Sequence, residues 1–462
     1  MLTLKKNDKI ELCIDSVTSE GSGVGRYNGM AVFVRNTVPG DKIVAHIIKT
    51  SKNYAVAITD ELIIPSLSRI ESDCPVFQKC GGCSFWSMTY EEELKYKLAR
   101  VNDAVKRIGK IDFSCEEIIG ADEIKHYRNK AQYPVLIENG RFYAGFYAYK
   151  SHRIIPCRSC LLQPKEFENG LNAFEKWALA NSVTSYDEKA GKGLLRHIYF
   201  RKAYVTGEIM ACAVINGNSI PNSEMLVDCL KSQLPGLKSV VLNINKSKTN
   251  VILGNETKVL WGSEKITDEL LGKQFVISPE SFYQVNHNQC EKLYKIAAEF
   301  ANLNKNDTLL DLYCGTGTIG LTMAQNCKNL IGIETVPSAI ENAKENAALN
   351  KEKNARFICA DAFEGAKQIQ KENIKISTVV LDPPRKGCQK ELFDIIENLE
   401  INKIVYVSCD SATLARDLNI LNKKGYKLKR LKAVDLFPRT THVECVVLLT
   451  KVHKKKCEKG LN

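Results

Sequence analysis

No apolar run in the 462-residue chain approaches the roughly 18 residues that a membrane-spanning helix needs. The first residues, MLTLKKNDKIELCID, hold two lysines and then alternating polar positions, without the apolar stretch of a secretory signal. These two absences predict a cytoplasmic protein. Internal repeats are also missing, which argues against a solenoid or propeller. The run Gly21-Ser22-Gly23-Val24-Gly25 lacks the third spaced glycine of a dinucleotide fingerprint and is not followed by a helical pattern. It reads as a hairpin turn. Hydrophobic residues make up 44% and charged residues 26%, so a disordered, collagen-like or coiled-coil chain is excluded as well.

What is present in excess is positive charge and sulfur. Lys and Arg number 65 against 53 Asp and Glu, a net charge of +12. Such a surplus suits a polyanionic partner without proving one. The 17 cysteines are many for a reducing compartment, where disulfides do not persist. They must be buried, catalytic or metal-binding, and spacing has to decide.

The length suggests about three domains. Residues 1–60 read as short strands (KIELCIDSV, MAVFVRNTV, KIVAHIIKT) separated by glycine turns, consistent with a five-strand barrel of the OB type. Residues 61–280 open with a cysteine-rich loop. A charged helical stretch, TYEEELKYKLARVNDAVKRIG, follows, and then a series of strand-like runs. In residues 281–452, strands alternate with helices, the pattern of a doubly wound parallel α/β sheet. Residues 453–462 form a basic tail.

In a doubly wound sheet, ligands sit at the carboxyl ends of the strands. The first such end here is Asp311-Leu-Tyr313-Cys-Gly315-Thr-Gly317, whose glycines let a ligand approach the backbone. Glu334 ends the next strand, 23 residues on, where an acid can take both hydroxyls of a ribose. Asp361 ends a third strand and could meet an adenine amino group. An NAD site would prefer a diphosphate-binding helix terminus. The run D-x-Y-C-G-T-G-T instead resembles motif I of class I S-adenosylmethionine-dependent methyltransferases, and Asp382-Pro-Pro-Arg385 resembles their motif IV.

Two further strand ends carry the chemistry. Ser408-Cys409-Asp410 closes the apolar run KIVYV, placing a candidate nucleophile on the ligand-binding rim. Glu444 in Pro438-Arg-Thr-Thr-His442-Val-Glu444 precedes CVVLLT and is a candidate general base. Together with Asp382-Pro-Pro-Arg-Lys-Gly387 and Ser281-Phe-Tyr-Gln284-Val-Asn286, these motifs resemble the RNA uracil-C5-methyltransferase family over nearly the whole chain. The closest resemblance is to its 23S ribosomal RNA members.

The resemblance implies that the barrel is a TRAM RNA-binding domain, Cys409 the nucleophile and Glu444 the base. It also implies that Gln284, Tyr313, Glu334 and Asp382 contact the methyl donor; the strand-end reading adds Asp311, Gly315 and Asp361 to that site. Where the family commonly reads Phe-Phe-Gln, this chain has Phe282-Tyr283-Gln284. The chemistry accounts for the residue types. Carbon 5 of uracil is a poor nucleophile, and addition of a thiolate at carbon 6 turns it into an enolate carbon. Arg385 could steady the pyrimidine oxygens or a phosphate. The target base must leave its stack to reach such a pocket, and Phe282 and Phe437 are candidates to stack on it.

Cys74-x5-Cys80-x2-Cys83 places three thiols on one glycine-bearing loop, able to wrap a soft metal or an iron–sulfur cluster. Cys157 and Cys160 are candidates for a fourth ligand. The family resemblance implies a 4Fe-4S cluster and, from the spacing of eight residues after His152, favours Cys160 over Cys157. Zinc is the alternative, though structural zinc usually pairs two two-cysteine knuckles. The C-x5-C-x2-C spacing disfavours a radical enzyme. Cys212, Cys229, Cys290, Cys327 and Cys359 read as small buried hydrophobes.

Basic residues recur at Arg128, Lys130, Arg141, Lys150, Arg153, Arg196 and Arg201, near Tyr127, Phe142, Tyr143 and Tyr147, a composition suited to phosphate contact and base stacking. The expectation is a monomeric enzyme that methylates carbon 5 of a uridine in 23S ribosomal RNA. The alternatives are the same reaction on transfer RNA, or a catalytically silent RNA-binding or redox-sensing protein.

Overall fold

A computed structural model describes residues 4–452; the basic tail expected at 453–462 lies outside the described residues. The first unit contains β1 (Lys9–Cys13), β2 (Ser16–Val17), β3 (Gly23–Tyr27), β4 (Met30–Val34), β5 (Lys42–Thr50) and β6 (Tyr54–Ile64). The pairing order is β1-β5-β6-β4-β3-β2. Because β1 and β2 are nearly continuous in the chain, residues 9–17 pair with β5 at one end and β3 at the other, closing a five-strand barrel around Leu12, Val32, Val34, Ile43 and Ala45. Gly25 lies where a Cβ would meet the Cys13 carbonyl oxygen at 2.3 Å, so the strand run requires glycine there.

Next comes α1 (Tyr90–Arg107), whose N-cap Thr89 accepts from the Glu92 N–H. Three glutamates in its first turn and Lys106 and Arg107 in its last complement the helix dipole. Its buried stripe is Glu93, Lys97, Val101, Ala104 and Val105, which is helical spacing with two charges in it.

The short β7 (Ile118–Ile119) follows. A seven-stranded sheet is then built from β8 (Lys130–Glu138), β9 (Arg141–Tyr147), β10 (Ile154–Pro156), β11 (Leu195–Lys202), β12 (Ile209–Ile215), β13 (Leu237–Ile244) and β14 (Glu256–Gly262), in the order β10-β9-β8-β11-β12-β13-β14. Helices α2 (Glu166–Ala180) and α3 (Ser223–Gln233) pack on it through Phe167, Phe174, Trp177 and Leu230.

A hairpin of β15 (Ile266–Leu270) and β16 (Lys273–Ile277) leads to α4 (His287–Ala301). The remaining elements are β17 (Thr308–Leu312), α5 (Thr318–Met323), β18 (Asn329–Glu334), α6 (Pro337–Leu349), β19 (Ala355–Cys359), α7 (Ala362–Lys371), β20 (Thr378–Leu381), α8 (Lys390–Asn398), β21 (Lys403–Ser408), α9 (Ser411–Lys423), β22 (Tyr426–Val434) and β23 (Glu444–Lys451). The eight-stranded sheet runs β19-β18-β17-β20-β21-β23-β22-β7. Its first five strands are parallel, and β23 is antiparallel to both neighbours.

Strands β17 and β20 are buried at every position, as in a sheet covered on both faces. One face packs on α4, α5 and the β15–β16 hairpin; the other packs on α1, α7, α8 and α9. The chain crosses from β17 to β18 on one side and returns to β20 on the other, which opens the ligand crevice at their carboxyl ends. β7 pairs with β22 at the far edge (Ile118 with Ala433), and α1 packs on α9, so a segment preceding the middle sheet completes the last one.

Two readings of single residues need correction. Cys359 is exposed, because β19 is an edge strand with one face half open. Arg196 and Arg201 are buried in β11, where Arg196 donates to the Asn245 and Ser247 carbonyls and Arg201 to the Ser281 carbonyl, so neither lies on a surface that RNA could touch.

Candidate active site

The turn after β17 is built from left-handed backbone at Tyr313 (φ 66°), Gly315 (φ 55°) and Gly317 (φ 82°). Gly317 caps α5. Asp311 is buried, and one carboxylate oxygen accepts from the Gly320 N–H at 2.9 Å while the other has no partner. Burial pushes this carboxyl up to about 8. Glu334, at the end of β18, reaches back to the same turn: one oxygen accepts from the Gly315 N–H at 3.2 Å and the other from the Val336 N–H at 2.9 Å. Asp361 caps α7, accepting from the Phe363 N–H at 2.9 Å. Asp382 follows β20, and burial raises its carboxyl to about 7. Gln284 is half-buried, and its carbonyl accepts from Asn129 Nδ2 at 2.9 Å.

The strand register brings the candidate nucleophile and the candidate base together. β21 and β23 are antiparallel with Ser408 opposite Cys445, so one step further Cys409 stands opposite Glu444. Cys409 is half-buried. Burial, then the nearby carboxylates of Glu444 and Asp382, hold its thiol up at about 11, against the opposing pull of Arg385. Glu444 is buried, and desolvation together with Asp382 raises it to about 8. Arg385 Nη2 lies 3.2 Å from His442 Nε2. Burial and the Arg385 charge lower His442 to about 4, so its ring is neutral and accepts from the guanidinium.

Cys409 opens into a cleft of about 360 Å³, large enough for a nucleobase. All three parts of the chain wall it: Ser19 and Glu20 from the barrel, Gly81, Gly82 and Ser84 from the cysteine loop, Tyr149 and Lys150 beyond β9, and Arg385, Thr441 and His442 from the catalytic sheet. Spacing arguments had not found the barrel and cysteine-loop walls. The only available signal was the Gly81-Gly82 pair between two cysteines; at Gly81 a Cβ would lie 2.9 Å from the Tyr149 Cα.

Cys74, Cys80, Cys83, Cys157 and Cys160 line one void of about 90 Å³, beside Phe77, Trp86 and Arg128. Burial lifts the Cys83 thiol to about 12, and a hydrogen bond from Cys157 lowers Cys160. Among the described residues, no group of three or more His, Cys, Asp or Glu side chains is gathered so as to hold a metal ion. The Arg128 guanidinium lies about equally far from the rings of Tyr127 and Phe437, at 6.0 and 5.9 Å.

A doubly wound sheet with this glycine turn, and a thiol facing a buried carboxylate at the strand ends, defines a class I S-adenosylmethionine-dependent methyltransferase. Residues 89–452 match the tRNA (uracil-5-)-methyltransferase family and residues 4–58 the TRAM domain; the chain belongs to that methyltransferase family. It is a SAM-dependent RNA (uracil-C5-)-methyltransferase.

An uncharacterized RNA methyltransferase of Clostridium tetani is 42% identical over 455 residues, covering 98% of this chain and 99% of the relative. One of Listeria innocua is 42% identical over 447 residues, covering 97% and 98%. The crystal structure of the Pyrococcus abyssi tRNA (uracil-54, C5)-methyltransferase in complex with S-adenosyl-L-homocysteine superimposes with a TM-score of 0.77 at 25% identity, covering 96% of this chain and all of that one. Among the described residues, no helix is long and apolar enough to cross a membrane.

Proposed function

We propose that the enzyme methylates carbon 5 of a specific uridine in 23S ribosomal RNA. The observation that carries the mechanism is the cross-strand pairing that sets Cys409 opposite Glu444. The Cys409 thiolate adds to carbon 6 of the flipped uracil, and the electron pair moves to carbon 5. S-adenosylmethionine would supply the methyl group that carbon 5 takes, its S–CH3 bond breaking to leave S-adenosylhomocysteine. Glu444 then removes the carbon 5 proton, the double bond re-forms, and the Cys409 thiolate leaves. Glu444 is held up to about 8 in the closed site, a value near the working pH that suits a general base.

Tyr313, Gly315 and Glu334 would hold the donor at the β17 and β18 ends, together with Gln284, Asp311, Asp361 and Asp382. Phe282, with two-thirds of its surface exposed, and Phe437 are placed to stack on RNA bases. The C-x5-C-x2-C spacing of Cys74, Cys80 and Cys83, with Cys160 lining the same void, supports a 4Fe-4S cluster over a single zinc ion. Such a cluster would hold the loop and takes no part in methyl transfer. We also infer a monomer working in the cytoplasm.

The TRAM domain and the complete four-cysteine set support ribosomal RNA. The second reading, transfer RNA, is favoured by the likeness to the Pyrococcus abyssi enzyme. Deleting the gene and mapping lost 5-methyluridine in both RNA classes tests the choice. Loss confined to transfer RNA would overturn the ribosomal assignment. RNA carrying 5-fluorouridine should trap a covalent adduct with the parent enzyme, because there is no carbon 5 proton to remove. An adduct that persists in Cys409→Ala would overturn the mechanism.

A further inference from the structure

The cysteine loop and the catalytic base are far apart in sequence, yet one residue joins them. Arg439 is 4% exposed and has φ 68°, a left-handed backbone that a non-glycine residue adopts only where its surroundings hold it. Its Nη1 donates to the carbonyls of Phe85 at 3.1 Å and Met88 at 2.8 Å. Its carbonyl accepts from the N–H groups of Ser84 at 2.9 Å and Phe85 at 3.2 Å. Its own N–H donates to Glu93 Oε1 at 2.7 Å. The guanidinium lies 5.1 Å from the Trp86 ring, and Trp86 is packed in one apolar cluster with Cys74, Cys83 and Cys160. All of these partners begin at the residue following Cys83.

Other anchors fix the same loop. The buried Lys97 bridges Glu93 and Asp435 at 2.7 Å each and donates to the Phe437 carbonyl at 3.3 Å. On the barrel side, a Cβ at Gly21 would lie 2.6 Å from Ser84 Cβ and 2.9 Å from Thr441 Cγ2, so the barrel turn closes directly on both loops. Beyond Arg439 the chain runs through His442 to Glu444 within five residues.

We propose that Arg439 is a positioning residue that transmits the conformation of the cysteine loop to residues 437–443, and so sets the alignment of Glu444 with the base in the cleft. This rests on the assignment of Glu444 above. A displacement of about 1 Å in a catalytic group costs on the order of 10²-fold in rate, so such a tie is enough to control turnover.

The test uses the full chain and two readouts: hydrogen exchange of residues 437–443, and tritium release from RNA labelled at carbon 5 of uridine. Cys83→Ser disturbs the cysteine loop, Arg439→Met cuts the tie, and Cys229→Ser in α3 is the distant control. Exchange in 437–443 should rise by about tenfold or more in the first two variants and stay at the parent level in the control. In Arg439→Met, kcat for tritium release should fall by about 10- to 100-fold with KM for RNA and donor within about twofold, and Arg439→Lys should recover part of the loss. Unchanged exchange in Cys83→Ser, or a loss in Arg439→Met that falls on KM alone, would overturn the proposal. Should Arg439→Met fail to fold, Arg439→Lys read by the same two measurements decides. If exchange responds as expected while Glu444→Gln still releases tritium, the assignment of the base fails and the mechanical tie stands.

Discussion

The two sulfur-bearing regions of this enzyme are built on opposite plans. Cys409 stands alone at the end of β21, and its place is set by the ladder that also delivers Glu444. The thiols around the 90 Å³ void come from two segments, residues 74–83 and 157–160, neither of which is in a helix or strand at its cysteines apart from the isolated bridge between Cys80 and Ala148. Burial raises the thiols of both Cys409 and Cys83. In the first region the neighbours are two carboxylates and a guanidinium, which a substrate can use. In the second they are other thiols, apolar rings and the Arg128 guanidinium, with no carboxylate among the described residues lining the void. A nucleophile needs a precise partner, and a strand pair provides it; a multi-thiol site needs a flexible loop that can wrap.

The largest effect that would break this contrast is on activity. Cys409→Ala should lower methyl transfer by about 10⁴-fold or more, while leaving metal content at the parent level; loss of both would show that the two regions are not separate. Cys80→Ser should do the reverse, removing absorbance near 400 nm and bound iron while keeping measurable transfer. One bound zinc in a colourless parent protein would refute the cluster.

A third measurement sharpens the carboxylate side. As the proposed base, Glu444 would act only when ionised, and its folded value is about 8, so its ionisation alone should raise turnover about tenfold per pH unit up to that point. The Cys409 thiol at about 11 pushes in the same direction. Glu444→Gln should remove the share of this rise that Glu444 carries and leave the share of the Cys409 thiol.

The same shift has a stability consequence of opposite sign. The ordinary value of 4.5 is raised on folding, so the neutral acid is what the fold prefers, and stability is lost as pH climbs from about 4.5 toward 8. Glu444→Gln and Asp382→Asn should therefore raise the melting temperature at pH 8, with the gain shrinking toward pH 5. The smallest effect belongs to the exposed Lys150–Glu20 pair at the cleft mouth. Lys150→Ala should leave melting unchanged and only flatten the salt dependence of RNA binding, by a slope of about one phosphate contact.

Much of the catalytic region was legible because its residues end regular strands. KIVYV before Ser408 and CVVLLT after Glu444 are apolar runs whose ends mark the rim, and the glycines after Asp311 announce a turn. The barrel was legible from alternating strands, but the bend within 9–17 that closes it was not. Burial of Arg196 and Arg201 was not legible. Four of the eight residues of LRHIYFRK are basic or polar, as in a half-exposed strand, but β11 lies inside its sheet with both faces covered, and each arginine donates through Nη1 to a carbonyl from elsewhere in the chain. Arg439 was hidden for the same reason: its partners at Ser84, Phe85 and Met88 are some 350 residues away, and no local pattern announces a contact of that range.

The pairing of β7 with β22 has a consequence for how the chain comes into being. The helix and strand spanning 90–119 leave the ribosome early, yet their partners α9 and β22 are among the last elements made. The entire middle sheet is thus an insertion within the catalytic unit. During synthesis α1 must wait, with its charged stripe of Glu93 and Lys97 unpaired with Asp435, until the C-terminal loop arrives. The sheet of the catalytic unit can therefore be completed only when β22 and β23 arrive, and a nascent chain truncated before β22 holds neither a complete sheet nor Glu444.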